Sequence, residues 1–155
     1  MLVEGDKAPE IELDTDGGKQ LRLSELKGRT VVVYFYPKDD TSGCTKEAID
    51  FTALVGEFSK NNAEIVGISP DTVQKHDKFK AKHDLDVQLA ADTEKVAANA
   101  YGVWVKKSMY GREYMGVERS TFVIAPDGSI AKIWRKVKVP GHAEDVLETV
   151  QSLRE

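Results

Sequence analysis

The chain has 155 residues, 41% of them hydrophobic and 31% charged, with a formal net charge of −4. That length predicts a single domain over residues 1–155, large enough to bury a core without staples. The composition argues against disorder, and the acidic balance gives no electrostatic footprint for nucleic acid. The longest apolar run, Val31 to Tyr36, falls far short of the roughly 20 residues a membrane-spanning helix needs.

In chain order, Ile11 to Leu13, Asp16-Gly17-Gly18 and Gln20 to Leu23 read as an N-terminal hairpin around a glycine-rich turn. Ser24 to Gly28 reads as one helical turn stopped by glycine. Thr30 to Tyr36 is β-branched and aromatic without polar alternation, which predicts a strand buried on both faces and ended by Pro37. From Gly43 to about Asn62, Ala48, Phe51, Leu54, Val55 and Phe58 recur at helical spacing. Glu64 to Ser69 predicts a second buried strand, and Pro70-Asp71 opens a helix running to about His83. A short strand over Val87 to Ala91 and a helix over Thr93 to Tyr101 follow. Val103 to Val117 shows no period, and its Trp104, Tyr110 and Tyr114 are expected in the core or in a pocket wall. Ser120 to Ala125 and Ser129 to Trp134 predict antiparallel strands across Pro126-Asp127-Gly128. Pro140-Gly141-His142 leads into a last helix with Ala143, Val146, Leu147, Val150 and Leu153 on one face. This order predicts an α/β architecture, a central mixed sheet with parallel first strands and helices on both faces. A thioredoxin-like fold fits best; a flavodoxin-like sheet is the alternative, disfavoured by the late hairpin.

The sequence holds one cysteine, Cys44, in the run Tyr36-Pro37-Lys38-Asp39-Asp40-Thr41-Ser42-Gly43-Cys44-Thr45-Lys46-Glu47. A solitary cysteine forms no internal disulfide, so it is either inert packing or reactive. It cannot assemble a cysteine-ligated zinc or iron–sulfur site either. Its neighbours are hydroxyls, glycine and charges, at a predicted strand-to-helix turn. Unpaired amides and the helix dipole there favour a thiolate over a thiol. Gly43 lets backbone approach closely, and Thr41 can aim a hydroxyl into the same turn, where it could donate to a thiolate or a bound oxygen. The three histidines ask for no other chemistry. His76 and His83, seven apart on the predicted helix, are expected to face solvent, and His142 to sit at a helix start. No glycine-rich phosphate loop is present, and no cofactor or metal is expected.

Pro37-x-x-x-Thr41-x-x-Cys44 resembles the active-site signature of the peroxiredoxins. The wider run Phe35 to Thr45 resembles their bacterioferritin comigratory protein, or peroxiredoxin Q, subfamily. Tyr101-Gly102-Val103-Trp104, Arg119 to Ile124 and Asp127-Gly128 fall where that subfamily has similar runs. The resemblance implies a thiol-dependent peroxidase acting on hydrogen peroxide and organic hydroperoxides, in cell redox homeostasis and oxidative-stress defence. Cys44 would be the nucleophile that becomes a sulfenic acid. Arg119 would favour the thiolate and hold the peroxide oxygens. Thr41 would hydrogen-bond the peroxide, and the amides around Gly43 would stabilise the departing oxygen. Pro37 would shape the pocket, and Glu47 would orient Arg119, although a bare carboxylate three residues past Cys44 by itself disfavours a thiolate.

The chain departs from the subfamily pattern at two places. Ser42 stands where many members have proline, and Ile49 where many carry a resolving cysteine. The sulfenic acid must therefore be reduced by an external thiol (thioredoxin, or glutaredoxin with glutathione) or pair with another molecule's Cys44. A monomer or weak homodimer is the expectation. The N-terminal sequence lacks a signal-peptide pattern, and with one cysteine this predicts a reducing cytoplasm. Two other readings compete: a disulfide oxidoreductase, for which position 47 would need to be cysteine, and a non-enzymatic thioredoxin-like binding or chaperone module.

Overall fold

A computed structural model describes residues 1–153. It contains nine strands: β1 (Glu12–Thr15), β2 (Lys19–Arg22), β3 (Thr30–Phe35), β4 (Ala63–Ser69), β5 (Gln88–Ala91), β6 (Trp104–Met109), β7 (Arg112–Val117), β8 (Ser120–Ile124) and β9 (Ile130–Trp134). Four α-helices accompany them: α1 (Ser42–Lys60), α2 (Val73–His83), α3 (Val96–Ala100) and α4 (His142–Ser152). Seven strands make one mixed sheet in the order β2-β1-β5-β4-β3-β8-β9. β3, β4 and β5 are parallel, and β8 and β9 continue the sheet antiparallel. This is the thioredoxin-like arrangement expected from the element order, with the N-terminal hairpin β1–β2 attached antiparallel to β5.

Every residue of β3 is buried, because both faces of the sheet are covered. Val31, Val33 and Phe35 pack with Tyr101, Phe122 and the α3 alanines on one side. Val32, Tyr34 and Tyr36 pack with α1, α4 and Phe79 of α2 on the other. Tyr34 lies over Gly67 of the neighbouring strand, where a Cβ would come within 2.6 Å of its ring, so only glycine fits. The ring then stacks on Phe51 at 4.8 Å between centroids, seating α1 against the sheet directly after the turn that bears the cysteine. The Tyr34 hydroxyl is buried without a hydrogen-bond partner among the described residues.

Three expectations are corrected. Val103 to Val117 is not irregular: β6 and β7 form a separate two-stranded hairpin, Trp104 pairing Val117 and Met109 pairing Arg112. Its faces are largely exposed, so no apolar alternation betrays it. The turn signal is Tyr110-Gly111, both at positive φ as a two-residue hairpin loop requires. Tyr110 is almost fully exposed and Tyr114 is 43% exposed, so neither is core; Trp104 alone packs against it. The helix expected over Thr93 to Tyr101 shrinks to Val96–Ala100, because Asp92 and the left-handed Lys95 hold the preceding residues in a turn. His76, expected to face solvent, is completely buried. It lies between Val73 and Phe79 on the inward stripe of α2, and the polar character of its side chain hid that spacing.

Candidate active site

The ladder places the candidate groups. Tyr36 donates the last parallel bond to Ile68 O, and Pro37, which has no amide hydrogen, ends the strand there. Ser120 pairs with Phe35 across antiparallel strands, so Arg119, one residue earlier, emerges where β3 has run out and the chain turns into α1. α1 begins at Ser42 with Thr41 as its extended N-cap, and its first helical bond runs from Thr45 N to Thr41 O. The amides of Ser42, Gly43 and Cys44 therefore precede the ladder and supply positive partial charge beside the sulfur.

Cys44 is 1% exposed, and Arg119 Nη2 donates to its Sγ at 3.2 Å. The other arm, Nη1, donates to Glu47 Oε1 at 2.5 Å. Glu47 lies three residues past Cys44 on α1, so one guanidinium spans both side chains. Gly43 sits against that guanidinium: a Cβ there would lie 3.2 Å from Nη2, so the arginine would have to give by a few tenths of an ångström. Thr41 is exposed at the rim, and its hydroxyl donates to Lys38 O at 2.9 Å. The O–H, expected to donate toward the sulfur or a bound oxygen, is instead spent within the turn, leaving the oxygen lone pairs as acceptors. Pro37 stands half-buried at the other end of the turn.

Burial pushes the Glu47 carboxyl up to about 7, and the Arg119 charge opposes this without cancelling it. The reason is visible in the geometry: Oε1 has the guanidinium, while Oε2 is buried with no partner among the described residues. Burial alone would lower Arg119; the Glu47 carboxylate and the Cys44 sulfur outweigh it, and the guanidinium stays charged. Burial and then the Arg119 charge lower Lys107 on β6, with Glu118 and Cys44 acting in the opposite sense. His142 sits at the start of α4, as expected, with Nε2 2.8 Å from Thr121 Oγ1. Burial lowers it to about 4, with Asp145 opposing, so it is neutral around pH 7.

The structure thus brings Cys44, Arg119, Glu47 and Gly43 together and sets Thr41 and Pro37 in the adjoining turn. What sequence reasoning missed lies behind that turn. Asp39 is buried and reaches His76 of α2, a contact foreshadowed only by the position of His76 in an apolar stripe.

A thioredoxin-like sheet that sets a lone cysteine beside a charged arginine at the start of a helix defines a thiol-redox enzyme. The chain belongs to the AhpC/TSA family, whose model matches residues 4–133. It is 48% identical to peroxiredoxin Bcp of Bacillus subtilis over 156 aligned residues, covering 100% of this chain and 99% of the relative. A putative peroxiredoxin of Helicobacter pylori is 47% identical, covering 96% and 98% of the two chains. Among solved structures, the bacterioferritin comigratory protein of Xanthomonas campestris superposes with a TM-score of 0.90 at 43% identity, covering 94% of this chain and 92% of that one. A peroxiredoxin Q of Xylella fastidiosa does so with 0.95 at 37% identity, over 100% and 99%. The peroxiredoxin resemblance read from Pro37, Thr41, Cys44 and Arg119 therefore holds across the whole chain.

Proposed function

We propose that this single-domain protein is a thiol-dependent peroxidase of single-cysteine type in which Cys44 is the nucleophile. The observation that carries the reading is the Arg119 guanidinium, 3.2 Å from Cys44 Sγ and fixed from behind by Glu47. The thiolate attacks one oxygen of a hydroperoxide, the O–O bond breaks, and Cys44 becomes a sulfenic acid. The departing alkoxide or hydroxide takes a proton from water and leaves as alcohol or water. Arg119 stabilises the thiolate and the reacting oxygens, and the amides of Gly43 and Cys44 face the charge that develops on the departing one. Thr41, its own O–H committed to Lys38 O, accepts from the hydroperoxide O–H. Pro37 walls the turn.

Relatives support the substrate class: the Xanthomonas protein is described by its alkyl peroxide reduction activity. With Cys44 the sole cysteine, recycling falls to an external thiol, thioredoxin or glutaredoxin with glutathione. A first thiol displaces water from the sulfenic acid to give a mixed disulfide, and a second releases Cys44 as thiol. Without an internal partner the sulfenic acid stands longer open to irreversible over-oxidation. No helix among the described residues is long and apolar enough to cross a membrane, and a cytoplasmic monomer or weak dimer in oxidative-stress defence is the accompanying proposal.

Stopped-flow oxidation of the reduced protein by hydrogen peroxide and by an alkyl hydroperoxide tests the reading. Cys44 should react far faster than free cysteine, and Cys44→Ser should consume no peroxide. A Cys44 no faster than free cysteine sinks it. Turnover with each reductant supplied singly then identifies the physiological thiol.

A further inference from the structure

The turn that delivers Thr41 and Cys44 is held by a helix that contributes nothing to the site itself. Asp39, in the middle of that turn, is buried and bonded on every side. The Tyr36 hydroxyl donates to its Oδ1 at 2.5 Å, its backbone amide donates to Asp71 Oδ2 at 2.8 Å, and His76 Nδ1 lies 2.6 Å from its Oδ2. Burial, then Tyr34 and Asp39, push the Tyr36 phenol up, so it remains a donor. His76 Nε2 lies 3.0 Å from Ala90 O, a group that only accepts, so that nitrogen carries hydrogen. The other nitrogen lies against the Asp39 carboxyl group. Ser69 Oγ donates to the same Asp71 oxygen at 2.7 Å. None of these side-chain atoms is among the buried unpaired ones of the described residues.

A second, exposed arm grips the next residue. Asp40 adopts φ 61°, a left-handed conformation that aspartate tolerates but does not favour. Its carboxylate is taken by Lys82 Nζ at 2.6 Å and His83 Nε2 at 2.8 Å, both from the last turn of α2. Those bonds hold the Asp40 carboxyl below its ordinary value. α2 and the residues at its start thus hold two consecutive residues of the turn across 32 to 43 positions of sequence.

We infer that α2 is the positioning device of the catalytic turn: His76, through Asp39, and Lys82 with His83, through Asp40, set where Thr41 and Cys44 stand relative to Arg119. His76 is a positioning residue, since it touches neither Cys44 nor Arg119. The inference rests on Cys44 being the nucleophile and carries a two-sided consequence. Attack on peroxide needs the turn closed on Arg119. Cys44 Sγ is buried, so a thiol reductant reaches the sulfenic acid only when the turn gives way. The α2 grip therefore favours the first step and opposes the second.

The test compares His76→Gln, Asp39→Asn and Asp40→Ala with Val31→Ala, a buried change at the opposite end of β3 that lowers stability without touching the turn. Two rates are read well below each variant's melting temperature: oxidation of the thiol by hydrogen peroxide, and reduction of the sulfenic acid by dithiothreitol. Displacement of a reacting group by an ångström costs up to about a hundredfold in rate, so the buried-arm variants should lose at least roughly tenfold in oxidation. Asp40→Ala should lose less, and none should be slower in reduction. Val31→Ala should keep the wild-type rates whatever its melting temperature. Oxidation unchanged in the turn variants, equal slowing of both steps, or a matching loss in Val31→Ala overturns the inference. If the buried variants do not fold, Asp40→Ala decides: an oxidation rate equal to wild type overturns it. Failure of the underlying reading would show separately, as a slow wild-type oxidation step.

Discussion

Two buried polar clusters flank the same short turn, and they are built on opposite rules. On one side Cys44, Arg119 and Glu47 share a single guanidinium, and Glu47 Oε2 is left buried with no partner. On the other, Asp39, His76, Asp71, Ser69 and Tyr36 form a network without such an orphan. Satisfied buried polar networks rigidify, whereas a buried polar atom left unpaired carries a free-energy cost. Proposed reactivity and rigidity are separated here by only a few residues of chain: the saturated cluster is the proposed anchor of the turn, and the partly satisfied one the proposed reaction centre.

Removing the shared cation has the largest expected effect. Arg119→Met should slow peroxide oxidation of Cys44 by about 10²–10³-fold, the usual cost of a lost charge-stabilising donor, measured by stopped-flow fluorescence. The clusters should then separate on stability. His76→Phe leaves Asp39 Oδ2 buried without its partner and should cost roughly 1–3 kcal/mol, the range for a buried acceptor left unsatisfied. Glu47→Gln removes a carboxyl already half frustrated and should cost clearly less; urea unfolding of both variants ranks them. An equal loss would mean that the reactive cluster is as structural as the anchor. Gly43→Ala is subtler: its Cβ would meet Arg119 Nη2 at 3.2 Å. It should slow oxidation by about tenfold through misplacement while hardly changing the unfolding midpoint.

The smallest effect is in pH. Glu47 is raised in the folded state to about 7, so its contribution to stability is full below about pH 4.5 and lost as pH rises through 7. His142 is lowered to about 4, so its contribution is full above about pH 6.5 and lost as pH falls through 4. Melting temperatures between pH 4 and 8 should show the two slopes opposing each other. Glu47→Gln should steepen the net rise with pH, and His142→Gln should flatten it or turn it into a fall. An Glu47→Gln profile parallel to wild type would contradict the burial argument for Glu47.

Much of this was legible in residue order. The apolar run Thr30 to Tyr36 could only be a central strand, because an unalternating β-branched stretch must be covered on both faces. The spacing from Ala48 to Phe58 announced a helix with the cysteine in its first turn. Pro37, Thr41, Gly43 and Cys44 lie within one turn of chain, so their proximity follows from sequence alone. The hairpin β6–β7 was not legible, since strands exposed on their faces carry no hydrophobic period and only Tyr110-Gly111 marks the reversal. The burial of His76 was hidden for a related reason: polarity suggested solvent, while its place between Val73 and Phe79 pointed inward.

By itself, then, the sequence determined the fold class, the cysteine at a helix start and the absence of any second thiol to resolve it, because these depend on periodicity, local turn chemistry and composition. Only the tertiary structure decided which partners close around that turn. Arg119 arrives because β8 pairs antiparallel with β3, and His76 because α2 packs over the same sheet face. Both contacts join residues tens of positions apart, and sheet register and helix docking, rather than any local preference, set their distances.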